Sequence, residues 1–123
     1  MIRAAALFLA AAPAWAEPAL PSGLAVTAHD VLVERQPGGE SWLVLRYLAP
    51  AIAEGAIGYA DVAADLDQLC ATEGLAEAEA SAQEIAQIVI VLMDRPVPRG
   101  APDPEATQYI GAYLIEDGEC QWE

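Results

Sequence analysis

Ile85-Ala86-Gln87-Ile88-Val89-Ile90-Val91-Leu92-Met93 is the stretch on which the fold turns. From Ile88 onward it is unbroken apolar sequence, and most of it is β-branched, which favours extended backbone. Apolar residues at both odd and even positions leave neither face for water. The stretch therefore predicts a central strand covered on both sides. Arg95-Pro96-Val97-Pro98-Arg99-Gly100 ends it, because proline cannot donate to a strand ladder.

Upstream, the period changes. Tyr59, Val62, Leu66, Leu69 and Cys70 recur at three- and four-residue intervals, which predicts a helix over Tyr59–Glu73 with Gly74 as its terminator. Asp61, Asp65 and Asp67 fall mainly on the solvent side of that helix. Leu75–Glu84, rich in alanine and glutamate, lacks an apolar face and reads as a loop or a poorly formed helix. Pro50–Gly58 is a connector.

Further upstream, Val26–Glu34 and Ser41–Ala49 read as strands around the turn signal Gln36-Pro37-Gly38-Gly39. A four-residue loop would set Arg35 opposite Glu40, Val33 opposite Trp42, Leu32 opposite Leu43 and Val31 opposite Val44. That register puts Leu32, Leu43, Leu45 and Tyr47 on the core face and sets His29 opposite Arg46. Downstream, Asp103-Pro104-Glu105 has the order of a helix start. Residues 104–114 fit a strand or a helix. Asp117-Gly118 is a strong hairpin turn leading to Cys120-Gln121-Trp122, so the expected ending is a hairpin preceded by one helical turn. Together these elements predict an α+β fold. Two hairpins and the central strand make a small antiparallel sheet, packed on one main helix and closed by one disulfide.

Met1–Ala16 has the order of a secretory signal peptide: Arg3, an apolar stretch, then Ala14-Trp15-Ala16 as a small-x-small cleavage site. Residues 17–123 are then a single small domain that begins with an extended, Pro- and Gly-rich leader, Glu17–Gly23. The apolar stretch is shorter than the about 20 residues that span a bilayer, and no later one is long enough. The expected location is periplasmic or secreted, with no membrane insertion after cleavage. All 19 acidic residues lie beyond Ala16, and lysine is absent. The basic residues there are Arg35, Arg46, Arg95 and Arg99, 4 against 19, so this part carries a net charge of −15. Such a field opposes nucleic acid and anionic lipid.

Cys70 and Cys120 are the only cysteines, and in an oxidising compartment an even count predicts a disulfide. The alternatives are Cys70 as a nucleophile paired with His29, or both thiols on a metal. Neither has support from spacing, since there is no Cys-x-x-Cys and only one histidine. Asp61 and Asp65, one helical turn apart with Asp67 nearby, are candidate cation ligands, but solvation explains them more simply. No Gly-x-Ser-x-Gly, phosphate loop or dinucleotide fingerprint occurs. No cofactor or metal site is expected. Arg95 and Arg99 flank Pro96-Val97-Pro98, and with Arg46 they form a candidate anion or ligand site, with Tyr109 and Tyr113 nearby.

Several segments carry a resemblance: His29-Asp30-Val31-Leu32-Val33-Glu34, Asp61-Val62-Ala63-Ala64-Asp65 leading to Leu69-Cys70, Met93-Asp94-Arg95-Pro96-Val97-Pro98, Pro104-Glu105-Ala106-Thr107-Gln108-Tyr109, and Glu116-Asp117-Gly118-Glu119-Cys120-Gln121-Trp122-Glu123. They resemble a family of small exported alphaproteobacterial proteins of uncharacterised function. The resemblance implies export, a single domain of this size and pairing of the two cysteines. The expected function is a non-enzymatic interaction or structural module that engages another periplasmic protein through a sheet edge or the surface around Trp42 and Trp122. The alternative is a small-ligand or divalent-cation binding protein. The sequence leaves the oligomeric state open.

Overall fold

The computed structural model describes residues 18–123; the expected signal peptide and the start of the mature chain lie outside the described residues. Five strands form one sheet in the order β1 (Thr27–Arg35), β2 (Ser41–Leu48), β3 (Ile85–Met93), β4 (Gln108–Glu116) and β5 (Glu119–Trp122). The pairs β1–β2, β3–β4 and β4–β5 are antiparallel, while β2 and β3 run parallel. The parallel pair follows from the connection, because a helical crossover returns the chain to the starting end of β2 before β3 begins. As the apolar run predicts, β3 is central, and all of it but Ala86 is buried.

The crossover contains a tight turn over Pro50–Gly55, then α1 (Tyr59–Leu69), a wider turn over Cys70–Gly74, and α2 (Leu75–Ala80). Gly58 N donates to Asp61 Oδ2 at 3.0 Å and starts α1, so this acid serves as a capping group. Gly74 does not terminate the helix. It keeps right-handed helical geometry (φ −63°, ψ −47°), and a Cβ placed on it would lie 2.9 Å from Ile88 Cγ2. Its role is to let the helical layer approach β3 closely.

The helical layer covers one face of the sheet. Val62, Leu66, Leu69 and Cys70 meet Leu43, Leu45, Tyr47, Ile88, Ile90, Leu92 and Tyr113, all nearly or fully buried. Leu20, Leu24 and Val26 join this core, so the segment read as an extended leader is packed against the domain. Asp65 explains why. Expected on the solvent side, it is fully buried and accepts hydrogen bonds from Ser22 N and Ser22 Oγ, which pins the segment to α1. Buried carboxylates are tolerated when they are hydrogen-bonded in this way.

The first hairpin differs from expectation by one residue. Leu32 pairs with Val44, Val33 with Leu43 and Asp30 with Arg46, and a bulge falls at His29. The loop is longer than four residues: Gln36 N donates to Glu40 O, enclosing the tighter bond from Gly39 N to Gln36 O. Side chains alternate along a strand, so this slip moves Leu32 to the opposite face of the sheet, beside Val44, Val89 and Val91. At the C-terminus the hairpin is present, with Asp117 (φ 54°) and Gly118 (φ 77°) both left-handed, as a two-residue turn of this type requires. Residues 103–106 form a turn closed by Ala106 N to Asp103 O, and strand begins at Gln108.

Candidate functional site

The candidate arginines divide between two places. Arg46, on β2, is almost wholly buried on the sheet face opposite the helices. Its Nε and Nη2 bond both oxygens of Asp30, at 2.8 and 2.6 Å, and Nη1 donates to the carbonyl of Val97. A planar fork suits this double task, satisfying a carboxylate and a backbone acceptor at once. The Arg46 guanidinium holds the Asp30 carboxyl below its ordinary value, mainly by hydrogen bonding. Arg99 grips Glu34 with the same two-pronged geometry, at 2.7 and 3.1 Å, and lowers that carboxyl as well. Since Asp30 and Glu34 are two alternate positions of one strand face, Arg46 and Arg99 share that face.

Arg95 stands apart. It pairs with Asp94 at 3.0 Å and approaches Glu105 at 3.8 Å. Asp94 also accepts from Thr107 N, while its own N donates to Thr107 O, which closes the neck of the loop between β3 and β4. The loop thus crosses the open sheet face, held by Arg46 to Val97 and by Arg99 to Glu34. Each arginine meets a carboxylate, and the three do not converge on one point. His29 does not face Arg46. It occupies the bulge, with Nε2 4.0 Å from Asp30.

The helix acids have structural partners too. Asp61 caps α1, Asp65 binds Ser22, and Asp67 accepts from the Tyr113 hydroxyl at 2.8 Å. Beside them, Tyr47 donates to Glu73. Burial is the main reason that the Tyr47 and Tyr113 hydroxyls ionise at values well above the ordinary phenol range, and the neighbouring carboxylates add to it. Among the described residues no group of three His, Cys, Asp or Glu side chains is disposed to hold a metal ion.

Cys70 and Cys120 form the expected disulfide, with Cα atoms 6.4 Å apart and a separation of 50 positions in sequence. The bond joins the end of α1 to β5. Beside it lies a cleft of about 360 Å³ between the helical layer and the last hairpin, lined by Asp67, Tyr113, Glu119 and Trp122, with Ala71, Leu75 and Cys120. Trp122 is 51% exposed, and its ring centroid lies 4.9 Å from that of Tyr113. Sequence reasoning did not assemble this cleft. Its signal was the alternation in β4 and β5, which sends Tyr113, Cys120 and Trp122 to the face that carries Cys70.

At the opposite margin, β1 forms the sheet edge. Val31 and Val33 point to the helix-side face, yet each is 41% exposed, because α1 packs over β3 and β4 rather than over β1. The molecule is thus a small α+β domain with one helical layer, a cystine at one margin and an open strand at the other. The profile of a family of unknown function (DUF6497) matches residues 4–123, and the chain belongs to that family. No curated protein and no solved structure matches it.

Proposed function

We propose that the protein is an exported, non-enzymatic interaction module that docks an extended segment of another exported protein along β1. The observation that carries this reading is the edge itself. β1 runs for nine residues and contains neither lysine nor proline. These are two of the devices by which natural edges discourage pairing; a third, the bulge at His29, lies near the start of β1 and leaves Asp30–Arg35 as the regular stretch open to a partner. Val31 and Val33 present an apolar stripe beside its free backbone groups, the combination used when a peptide adds a strand to a sheet. Charge favours a basic partner over a second copy of the chain, since two bodies of −15 repel at long range. Export is supported by the order of Met1–Ala16, and the non-enzymatic reading by the engagement of the candidate polar groups in bonds that hold the fold.

Two measurements test the proposal. Intact mass of the protein from its native host is expected to give a chain that starts at Glu17 and is two hydrogens lighter than its reduced form; an uncleaved, reduced chain overturns the export reading. A photocrosslinking residue in place of Val33 is expected to yield one discrete adduct with another exported, basic protein. The adduct should disappear with Val31→Asp and should not form when the crosslinker replaces Ala60 on α1. No adduct at position 33, or one made only with a second copy of this chain, overturns the docking reading.

A further inference from the structure

The cleft beside the disulfide lies on the far margin of the molecule from β1 and has chemistry of its own. We propose that it binds an organic cation, a protonated amine on an apolar stem. Its volume of about 360 Å³ falls at the lower end of small-ligand sites. Three kinds of side chain converge there. Trp122 offers the best aromatic face for a cation, and half of the residue is open to solvent. Asp67 and Glu119 contribute carboxylates. Ala71 and Leu75 supply an apolar wall against which methylene groups can lie.

The site is held in shape without its ligand. The Cys70–Cys120 bond fixes the two walls to each other. Tyr113 is buried, donates its hydroxyl to Asp67 Oδ1, and packs its ring against Trp122, so the aromatic face and one carboxylate are positioned by the same residue. Among the described residues no other side-chain hydrogen bond reaches Asp67, which is exposed, so its second oxygen is open to an incoming donor.

Among the described residues, no basic side chain lines the cleft. Arg46 and Arg99 are engaged on the opposite sheet face, Arg95 is in the β3–β4 loop, and Arg35 ends β1. The carboxylates here have no basic neighbour in the lining, and the strongly negative charge, −15 over residues 17–123, concentrates cations around the domain. A bare divalent ion would need more oxygen ligands than this set provides. A monovalent ammonium that also contacts an aromatic face needs fewer.

The amine can arrive as a free diamine or as a lysine side chain of a polypeptide. The test titrates the oxidised protein, at fixed ionic strength, with cadaverine, with Nα-acetyl-lysine methylamide, and with the Nε-acetylated form of the latter as a neutral control. The Trp122 indole N–H is followed by NMR. A saturable shift with at least one amine and none with the neutral control is expected. Response to the lysine derivative alone assigns the site to a partner's side chain, and response to cadaverine alone assigns it to a free diamine; a response to both supports the shared chemistry. Calorimetry with Trp122→Leu and Glu119→Gln, both at exposed positions, is expected to show binding weakened about two- to five-fold. Melting temperature checks that these variants remain folded. No saturable shift with either amine, or an equal response to the neutral control, overturns the proposal.

Discussion

The two faces of the sheet are covered by different physics. On the helix side, large apolar residues from β2, β3 and β4 meet an apolar helix stripe, and a disulfide staples the layer to β5. On the other side, a small cluster of Val44, Val89 and Val91, flanked by Leu32 and Trp42, lies under a loop held by arginine forks. The first face draws its stability from area removed from water. The second also leans on polar bonds, since a buried polar group left without a partner costs about 1–3 kcal/mol. Gln87, in the row between Trp42 and Leu114, shows that this face is incompletely matched, since its buried Nε2 has no partner among the described residues. The contrast teaches where the chain tolerates change. The helix face should respond to volume and to the cross-link, and the loop face to charge and pH.

The largest effect is expected at the cross-link. Closing a loop of 50 positions stabilises the fold by about 4 kcal/mol in the chain-entropy account. Reduction, or the double replacement Cys70→Ala/Cys120→Ala, should lower the unfolding free energy by that order, measured by urea denaturation. It should also release β5 first, because that strand has only four residues and pairs only with β4. Hydrogen exchange at Cys120, Gln121 and Trp122 would record the release. A loss spread evenly over both faces would erase the distinction between them.

The next effect is on the loop face. Arg46→Met removes a buried fork and leaves the Val97 carbonyl and the Asp30 carboxylate without their donor. Breaking a fully buried pair costs about 3–5 kcal/mol. Asp30 keeps 31% of its side chain in solvent, which reduces the expected loss to about 2 kcal/mol. Arg46→Lys should not restore it, since an ammonium cannot span both acceptors in this geometry. The pH dependence has a definite sign. Because the folded Asp30 carboxyl lies below its ordinary value of 3.8, its contribution is complete above about pH 5 and is lost as pH falls below that ordinary value through the folded one. Glu34 behaves in the same sense, through Arg99. The native protein should therefore lose stability between about pH 5 and 2 more steeply than Arg46→Met does, as read from thermal melts.

Much of the helix face was legible in the sequence because it rests on periodicity. The run from Ile88 to Met93 and the stripe Val62-Leu66-Leu69-Cys70 declare their burial by spacing alone, and Asp117-Gly118 declares its turn. The loop face was less legible because it rests on register. A four-residue loop puts Leu32 on the core side, and the longer Gln36–Glu40 turn is enough to reverse it. Asp65 was illegible for another reason: its helical position is compatible with solvent, and only the return of Ser22 across α1 gives it a buried partner. Likewise, the spacing of Arg46, Arg95 and Arg99 shows that they are scarce but cannot show which acids they meet. The cleft around Trp122 depends on a contact between the middle of the chain and its last residues, which local pattern does not encode.

The smallest effect belongs to the arginines nearest to solvent, and it decides whether the loop face is a support or a receptor. The Arg99–Glu34 pair is about one-third exposed on the arginine side, so Arg99→Gln should cost only about 0.2–1 kcal/mol, with a difference that shrinks as salt is added. Arg95 is still more open and pairs with Asp94, the residue that also closes the loop neck through Thr107. If the forks serve only to hold the loop, Arg95→Gln/Arg99→Gln should lower stability slightly and leave affinity for a small carboxylate such as citrate unchanged from the native level. If instead they receive an anion, the double variant should lose that affinity while melting at the native temperature. The two outcomes move different observables, so calorimetry with citrate beside a thermal melt separates them. The first is expected, because each guanidinium already faces a carboxylate of this chain, and an incoming anion would have to displace a partner held at high effective concentration.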